Sequence, residues 1–197
     1  IGMNYSLIIL EIAVVALGLG LLLADLWTPT ALKRKLGHLA AAGVGLILVG
    51  SFTMHAPEAQ YAFGQMYVLD GLALFFKRFF LLAALFVLLM SNEFADRIQS
   101  GISEFYALIL FALAGMMFAA SANDFILLFV SLELITVTFY ILTSFQRSRL
   151  TSLEAGVKYL ILGALSSAFL VYGIALVWGT TGKMNFSELS PVVLQFA

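Results

Sequence analysis

Cysteine is absent from the 197 residues. That excludes disulfides, thiolate metal sites and cysteine nucleophiles. Histidine is nearly absent. His38 and His55 both fall near expected loops, and two isolated histidines near helix ends do not make a metal-ligand set. Charge is scarce, at 11% of residues, and it balances to a net of −1, so nucleic acid is not expected as a partner. No phosphate-binding glycine loop and no nucleophile–base pair at usable spacing is present, so no enzyme site is visible. The alternating segments of about ten residues that a spanning β-barrel needs are also missing.

What remains is apolar. Hydrophobic residues make up 62% of the chain, against about 45–50% in a soluble domain. The expected fold class is therefore all-α, a polytopic transmembrane helix bundle in contact with the lipid bilayer. Unpaired backbone groups are not tolerated in hydrocarbon, so long apolar runs there are helices. Six runs approach the length of about 20 residues that crosses a bilayer: 5–24, 36–54, 68–90, 104–122, 124–145 and 153–178. The first lacks a basic leader and is followed by Lys33-Arg34-Lys35, so it is expected to stay as a spanning helix, not a cleaved signal. The chain opens on Ile1, and a start that lies upstream or is altered is expected.

Basic residues set the expected orientation. Lys33, Arg34, Lys35, Arg97, Arg147 and Arg149 follow the first, third and fifth runs, while the alternate loops carry none until Lys183. The N-terminus is thus expected outside (periplasmic) and the basic loops in the cytoplasm, as in a bacterial inner membrane. Local signals refine the elements. Thr151-Ser152-Leu153-Glu154 reads as a capping box for the sixth helix. Ser121-Ala122-Asn123-Asp124 reads as a tight turn with Asn123 or Asp124 capping the fifth, so helices four and five form a hairpin. Gly156, Gly163, Ala164, Ser166, Ser167 and Gly173 offer the sixth helix a small-residue packing surface. After the polar stretch beyond Gly182, Pro191 begins a short apolar run, and the chain is expected to stop before a seventh helix. Two parts are expected: a three-helix segment over 1–103 and the first part of a helix repeat over 104–197.

Ionisable residues inside the apolar runs carry the functional reading. Glu133 lies nine residues after Asp124, about 13 Å into the fifth helix and near midplane. Thr136, Tyr140 and Ser144 follow on its face, a candidate polar path toward the cytoplasm. Read functionally, this is a protonatable site on a hydrated half-path. Read structurally, it is an ion pair, with the hydroxyls bonding backbone. Lys158, near the start of the sixth helix, either snorkels to the interface or reaches Glu133. Glu11, Lys77 and Arg78 are candidate intramembrane charge partners. Because none has a polar stripe beside it, a structural role is favoured for all three, and Asp70 is placed at the outer membrane edge.

Two segments also resemble a known family. They are Phe129 to Leu134 (FVSLEL) and Glu154 to Ala164 (EAGVKYLILGA), the latter extending to Tyr172-Gly173 and Gly179-Thr180-Thr181-Gly182. Together with Asp70-Gly71-Leu72, they are similar to the antiporter-like, proton-pumping membrane subunits of respiratory complex I, nearest to the N-terminal portion of its N-type subunit. The resemblance implies about fourteen spanning helices in two inverted five-helix repeats with broken helices and central lysines. It implies proton transfer at Glu133, with Lys158 as a modulating charge or next relay, and translocation driven by quinone reduction in neighbouring subunits. NAD, FMN, iron–sulfur clusters and quinone are expected in those other subunits and none in this chain. Partners are expected to be other complex I membrane subunits, including neighbouring antiporter-like ones. A cation/proton antiporter, a membrane-hydrogenase subunit or a purely structural subunit are the alternatives.

Overall fold

The structure is a computed structural model, and it describes residues 5–29, 33, 35–56, 58–94 and 101–194. Arg34 and Arg97, both counted in the orientation argument, lie outside the described residues, as does the end of the chain after 194. A short 3₁₀ turn, Tyr5–Ile8, leads into α1 (Ile9–Trp27). Then follow α2 (Lys35–Ser51), strands β1 (Gln60–Ala62) and β2 (Tyr67–Leu69), α3 (Gly71–Phe94), α4 (Ile102–Ala120), α5 (Phe125–Thr143), α6 (Leu150–Thr181) and α7 (Phe186–Leu194). Among the described residues, α1 with its leading turn, α3, α4, α5 and α6 are long and apolar enough to cross a bilayer. The expected second span is shorter, with 17 residues in α2. Residues 52–54 leave the helix in tight turns, Phe52 N bonding Val49 O at 3.1 Å and Met54 N bonding Ser51 O at 3.1 Å.

The apolar core lies among α1 to α4. Leu10, Val14 and Leu21 of α1 meet Val44 of α2, Leu81 and Leu88 of α3, and Leu110, Leu113 and Met117 of α4. These positions recur at the three- and four-residue steps that line one face of a helix. α5 and α6 stand at the edge. The only buried residues of α5 are Ser131 and Thr138, and the only one of α6 is Gly156. The expected α4–α5 hairpin forms. Asp124 caps α5, its Oδ1 accepting from Ile126 N at 2.7 Å. Gly115 lets the two helices touch, since a Cβ there would lie 2.8 Å from Ile135 Cγ1 and 3.1 Å from Ser131 O.

Two local expectations need correction. The third apolar run does not begin as helix, because residues 67–69 form β2, antiparallel to β1 in the register Gln60↔Leu69, Tyr61↔Val68, Ala62↔Tyr67. Asp70 then ends the strand and caps α3, its Oδ1 accepting from Ala73 N at 2.7 Å. The capping box of α6 is not made. Arg149 is the N-cap without a side-chain cap bond, Ser152 Oγ bonds Thr143 O of α5 at 2.8 Å, and Glu154 turns to Lys158 instead. Pro191, where the last short apolar run begins, stands inside α7.

The hairpin fastens one end of the bundle. Val68 N bonds Ser121 O at 2.9 Å, and Asn123 N bonds Met66 O at 2.8 Å, so β2 lies against the α4–α5 turn. The α6–α7 turn joins them through Phe186 N on Asn123 O at 2.9 Å and Phe125 N on Met184 O at 3.2 Å. At the opposite end, Asp25 of α1 holds Lys33 at 2.8 Å and accepts from Ser103 Oγ of α4 at 2.5 Å.

Candidate functional site

Glu133 lies on the side of α5 that faces α6, in the wall of a groove of about 1080 Å³ between the two helices. It is half-buried. Its Oε1 accepts a short hydrogen bond from the hydroxyl of Ser167 on α6. No lysine or arginine among the described residues forms an ion pair with it. Ser167 entered the sequence argument only as a small packing residue. No signal local to α5 or α6 pairs it with Glu133, because the two lie 34 residues apart.

Lys158 is elsewhere. Its Nζ is 2.5 Å from Glu154 Oε1, one turn away on α6, and both side chains are mostly exposed. Nine residues separate Lys158 from Ser167, about 13 Å along the helix axis, beyond the reach of a lysine stem. The direct Glu133–Lys158 contact considered from sequence is therefore not made. α6 has 32 residues, near 48 Å of helix, well over the ~30 Å hydrocarbon thickness. Its first turns can therefore lie at the membrane surface, where an i,i+4 ion pair needs no buried partner.

The stripe below Glu133 is also not a joined chain. Thr136 Oγ1 bonds Glu133 O at 3.1 Å, and Ser144 Oγ bonds Tyr140 O at 2.9 Å. A hydroxyl on an apolar helix finds its nearest acceptor in the carbonyl one turn back. Tyr140 differs. Its OH is buried without a hydrogen-bond partner and nests against Gly163, where a Cβ would come within 1.8 Å of it. Its ring meets Tyr159 edge to face at 5.0 Å. Gly156 and Gly163 thus provide the expected close packing, but Gly173 has nothing within 4 Å.

A second polar cluster, unforeseen in sequence as a unit, lies in the core. Lys77 of α3 pairs with Glu11 of α1 at 2.8 Å, and both side chains are 0% exposed. Lys77 also donates to the Tyr67 hydroxyl at 2.6 Å, which lies 3.0 Å from Glu11 Oε1 and 3.0 Å from Leu7 O. Burial, with the Glu11 charge beside it, holds the Tyr67 phenol far above its ordinary range, so it stays protonated. Lys77 thus meets its acid within the chain. Arg78, the next residue, turns to α2. Its guanidinium donates to Ser51 O and Met54 O at 2.9 Å each and sits over the Phe52 ring, closing the exposed carbonyls of that helix end.

The chain is a multi-pass helix bundle with a carboxylate at a groove between two of its helices, and its fold class is that of an antiporter-like membrane domain. Residues 122–197 match the NADH:quinone oxidoreductase/Mrp antiporter transmembrane family. Over nearly its whole length the chain is similar to NADH-quinone oxidoreductase subunit N. It is 38% identical to that of Moorella thermoacetica over 96% of this chain and 40% of the relative. It is 41% identical to that of Heliobacterium modesticaldum over 95% of this chain and 40% of the relative. The chain therefore spans about two fifths of the length of these curated relatives. Among solved structures it superposes on a chain of respiratory complex I from Thermus thermophilus with bound aureothin. The TM-score is 0.70 at 31% identity, covering 89% of this chain and 38% of that one. The archaeal membrane-bound sulfane sulfur reductase shares the fold, with a TM-score of 0.65 at 24% identity.

Proposed function

We propose that this chain is part of a membrane subunit of a proton-pumping NADH:quinone oxidoreductase, and that Glu133 takes up and releases a proton during turnover. The observation that carries this is the housing of Glu133, a carboxylate within a spanning helix whose hydrogen-bond partner is a neutral hydroxyl, not a cation. Ser167 can donate to the charged carboxylate or accept from the protonated acid. Both states of Glu133 therefore keep a hydrogen bond. Quinone reduction in neighbouring subunits drives the exchange, and other membrane subunits of the complex are the partners. The membrane is the bacterial inner membrane, with the basic loops cytoplasmic.

Lys158 acts from a distance in this reading. A unit charge about 13 Å away is worth about 1 kcal/mol at an effective dielectric near 20. While Lys158 stays on Glu154 the pair is neutral and this influence is small. Separating the pair would expose Glu133 to a net charge.

The test is Glu133→Gln in the full-length subunit, with proton uptake measured in vesicles holding the assembled complex. Pumping is expected to fall by about a hundredfold, the low end of what a positioned proton-transfer group contributes. Unchanged pumping would remove Glu133 from the path. A structural role is favoured by one observation, the backbone bonding of Thr136 and Ser144. That reading expects Glu133→Gln to impair assembly on native gels while any assembled complex pumps normally. Because the matched family also includes Mrp antiporters, sodium dependence of transport and the set of co-purifying subunits separate those two members.

A further inference from the structure

The core cluster beneath the hairpin is not used by the reading above, and it has the parts of a proton site. Glu11, Tyr67 and Lys77 come from α1, β2 and α3, and all three side chains are buried to 1% exposure or less.

We propose that Glu11, Tyr67 and Lys77 form a second proton-holding site, in which the Tyr67 hydroxyl relays a proton between the Lys77 amine and the Glu11 carboxylate. The three groups meet at hydrogen-bond distance: Lys77 Nζ to Tyr67 O is 2.6 Å, Tyr67 O to Glu11 Oε1 is 3.0 Å, and the hydroxyl route runs beside the direct Lys77–Glu11 contact of 2.8 Å. In the transfer an N–H bond of the Lys77 ammonium breaks as an O–H bond forms on Tyr67. The original Tyr67 O–H breaks as a new one forms on Glu11. An ammonium and a carboxylate become an amine and a carboxylic acid, Tyr67 is a phenol before and after, and no oxidant or reductant is involved. The high proton affinity of the buried phenol keeps Tyr67 in the donor form that this relay needs.

Two further observations separate this cluster from a plain structural pair. A buried ion pair stabilises a fold when the remaining lone pairs find donors. Glu11 Oε2 has none, although it is fully buried. Ser121 Oγ, at the end of α4, is also buried without a partner and lies beside the Tyr67 phenol, outside hydrogen-bonding geometry. Glu11 Oε2 is thus a free acceptor for an arriving proton, and Ser121 is a second hydroxyl at the relay. Asp70, capping α3, is a further acid within electrostatic reach of Lys77. The cluster also has a defined place. It lies at the first turn of α1, beneath the hairpin that hydrogen-bonds the α4–α5 turn. That turn begins the helix carrying Glu133, about 13 Å further in. In the orientation set by the basic loops this is the outer end, opposite to the direction of the Thr136–Ser144 stripe.

The site's role in pumping rests on the proton-translocating reading, whereas its protonation change does not, so two readouts are needed. The first is infrared difference spectroscopy of the purified, full-length complex across a pH change, comparing wild type with Glu11→Gln, Tyr67→Phe and Glu11→Asp. A titrating carboxylic C=O band is expected in wild type. It should be absent in Glu11→Gln, shifted in Glu11→Asp and displaced in Tyr67→Phe, which keeps the ring and removes only the hydroxyl. The second readout is proton uptake per electron in vesicles, expected to fall about tenfold in Tyr67→Phe with native-gel assembly unchanged. Should Glu11→Gln not assemble, Tyr67→Phe decides alone. An unaltered carboxyl band in the assembled Tyr67→Phe complex, or a band that survives Glu11→Gln, overturns the proposal. Loss of the band in Glu11→Gln while Glu133→Gln still pumps would instead keep this site and discard the Glu133 path.

Discussion

Glu11 and Glu133 are both glutamates set in apolar helices, and they are housed in opposite ways. Glu11 is sealed in the α1–α4 core with Lys77 at 2.8 Å and no exposure. Glu133 stands half-buried at an open groove, with the Ser167 hydroxyl on it. The cost of a charge in an apolar medium is met in the first case by a cation and in the second by access and a neutral donor. The same residue type is therefore held by a cation inside the core at one site and by a neutral hydroxyl at a groove at the other. The surrounding helices agree with this division. α1 to α4 share a continuous core, whereas α6 buries only Gly156.

This contrast can be broken experimentally, and the largest effect belongs to the sealed site. Lys77→Met leaves Glu11 buried without its cation. It is expected to cost about 3–5 kcal/mol, read as lost assembly on native gels or a lower melting temperature of the detergent-solubilised complex. Adding Glu11→Leu should recover most of that loss, because an apolar pair of similar volume replaces a buried ion pair without penalty. Recovery of folding without recovery of pumping would show that the pair does more than hold helices.

Next in size is Gly163→Ala. The new Cβ would meet the Tyr140 hydroxyl at 1.8 Å, forcing α5 and α6 apart at a cost of about 1–3 kcal/mol. Double substitution with Tyr140→Phe should relieve part of this, which thermal unfolding of the two variants can compare. Ser167→Ala removes the donor from Glu133. It is expected to slow proton exchange roughly tenfold, in line with the 1.5–3 kcal/mol of a hydrogen bond to a charged group, while assembly stays normal. The smallest effect should come from Lys158→Ala. An exposed i,i+4 pair contributes about 0.3–0.5 kcal/mol, so stability should hardly move and pumping should change by less than about tenfold. A larger loss in pumping would show that separation of Lys158 from Glu154 is part of the cycle.

The helices and the α4–α5 hairpin were legible because they depend on local features: apolar run length, and Asp124 at a cap. The β-hairpin was not legible. Its strands have three residues each, too short for an alternating signal, and β2 runs straight into the apolar residues of α3. Its turn also places Phe63, Gly64 and Gln65 at positive φ, and only the glycine announces that in sequence. The capping box failed because Ser152 found a carbonyl on α5 and Glu154 found Lys158. Those are choices made by neighbours, not by the four-residue motif.

The sites divide along the same line. Glu133 was visible because an acid in an apolar run is conspicuous whatever surrounds it. Its partner Ser167 was not, nor was the Glu11–Lys77 pair, since periodicity describes one helix at a time and cannot join residues on helices far apart in sequence. The hydroxyl stripe shows the converse error. Thr136, Tyr140 and Ser144 share a face as spacing requires, yet Thr136 and Ser144 satisfy themselves on their own backbone. Shared direction on a helix does not establish a hydrogen-bonded chain.

The most direct test of the difference between the two glutamates is the proton-to-electron ratio of assembled complex carrying Glu133→Gln, measured beside Lys158→Ala in the same vesicles. The account expects Glu133→Gln to assemble and to lose nearly all proton translocation per electron, with Lys158→Ala close to wild type. An unchanged ratio in Glu133→Gln, at an unchanged rate of quinone reduction, would contradict it.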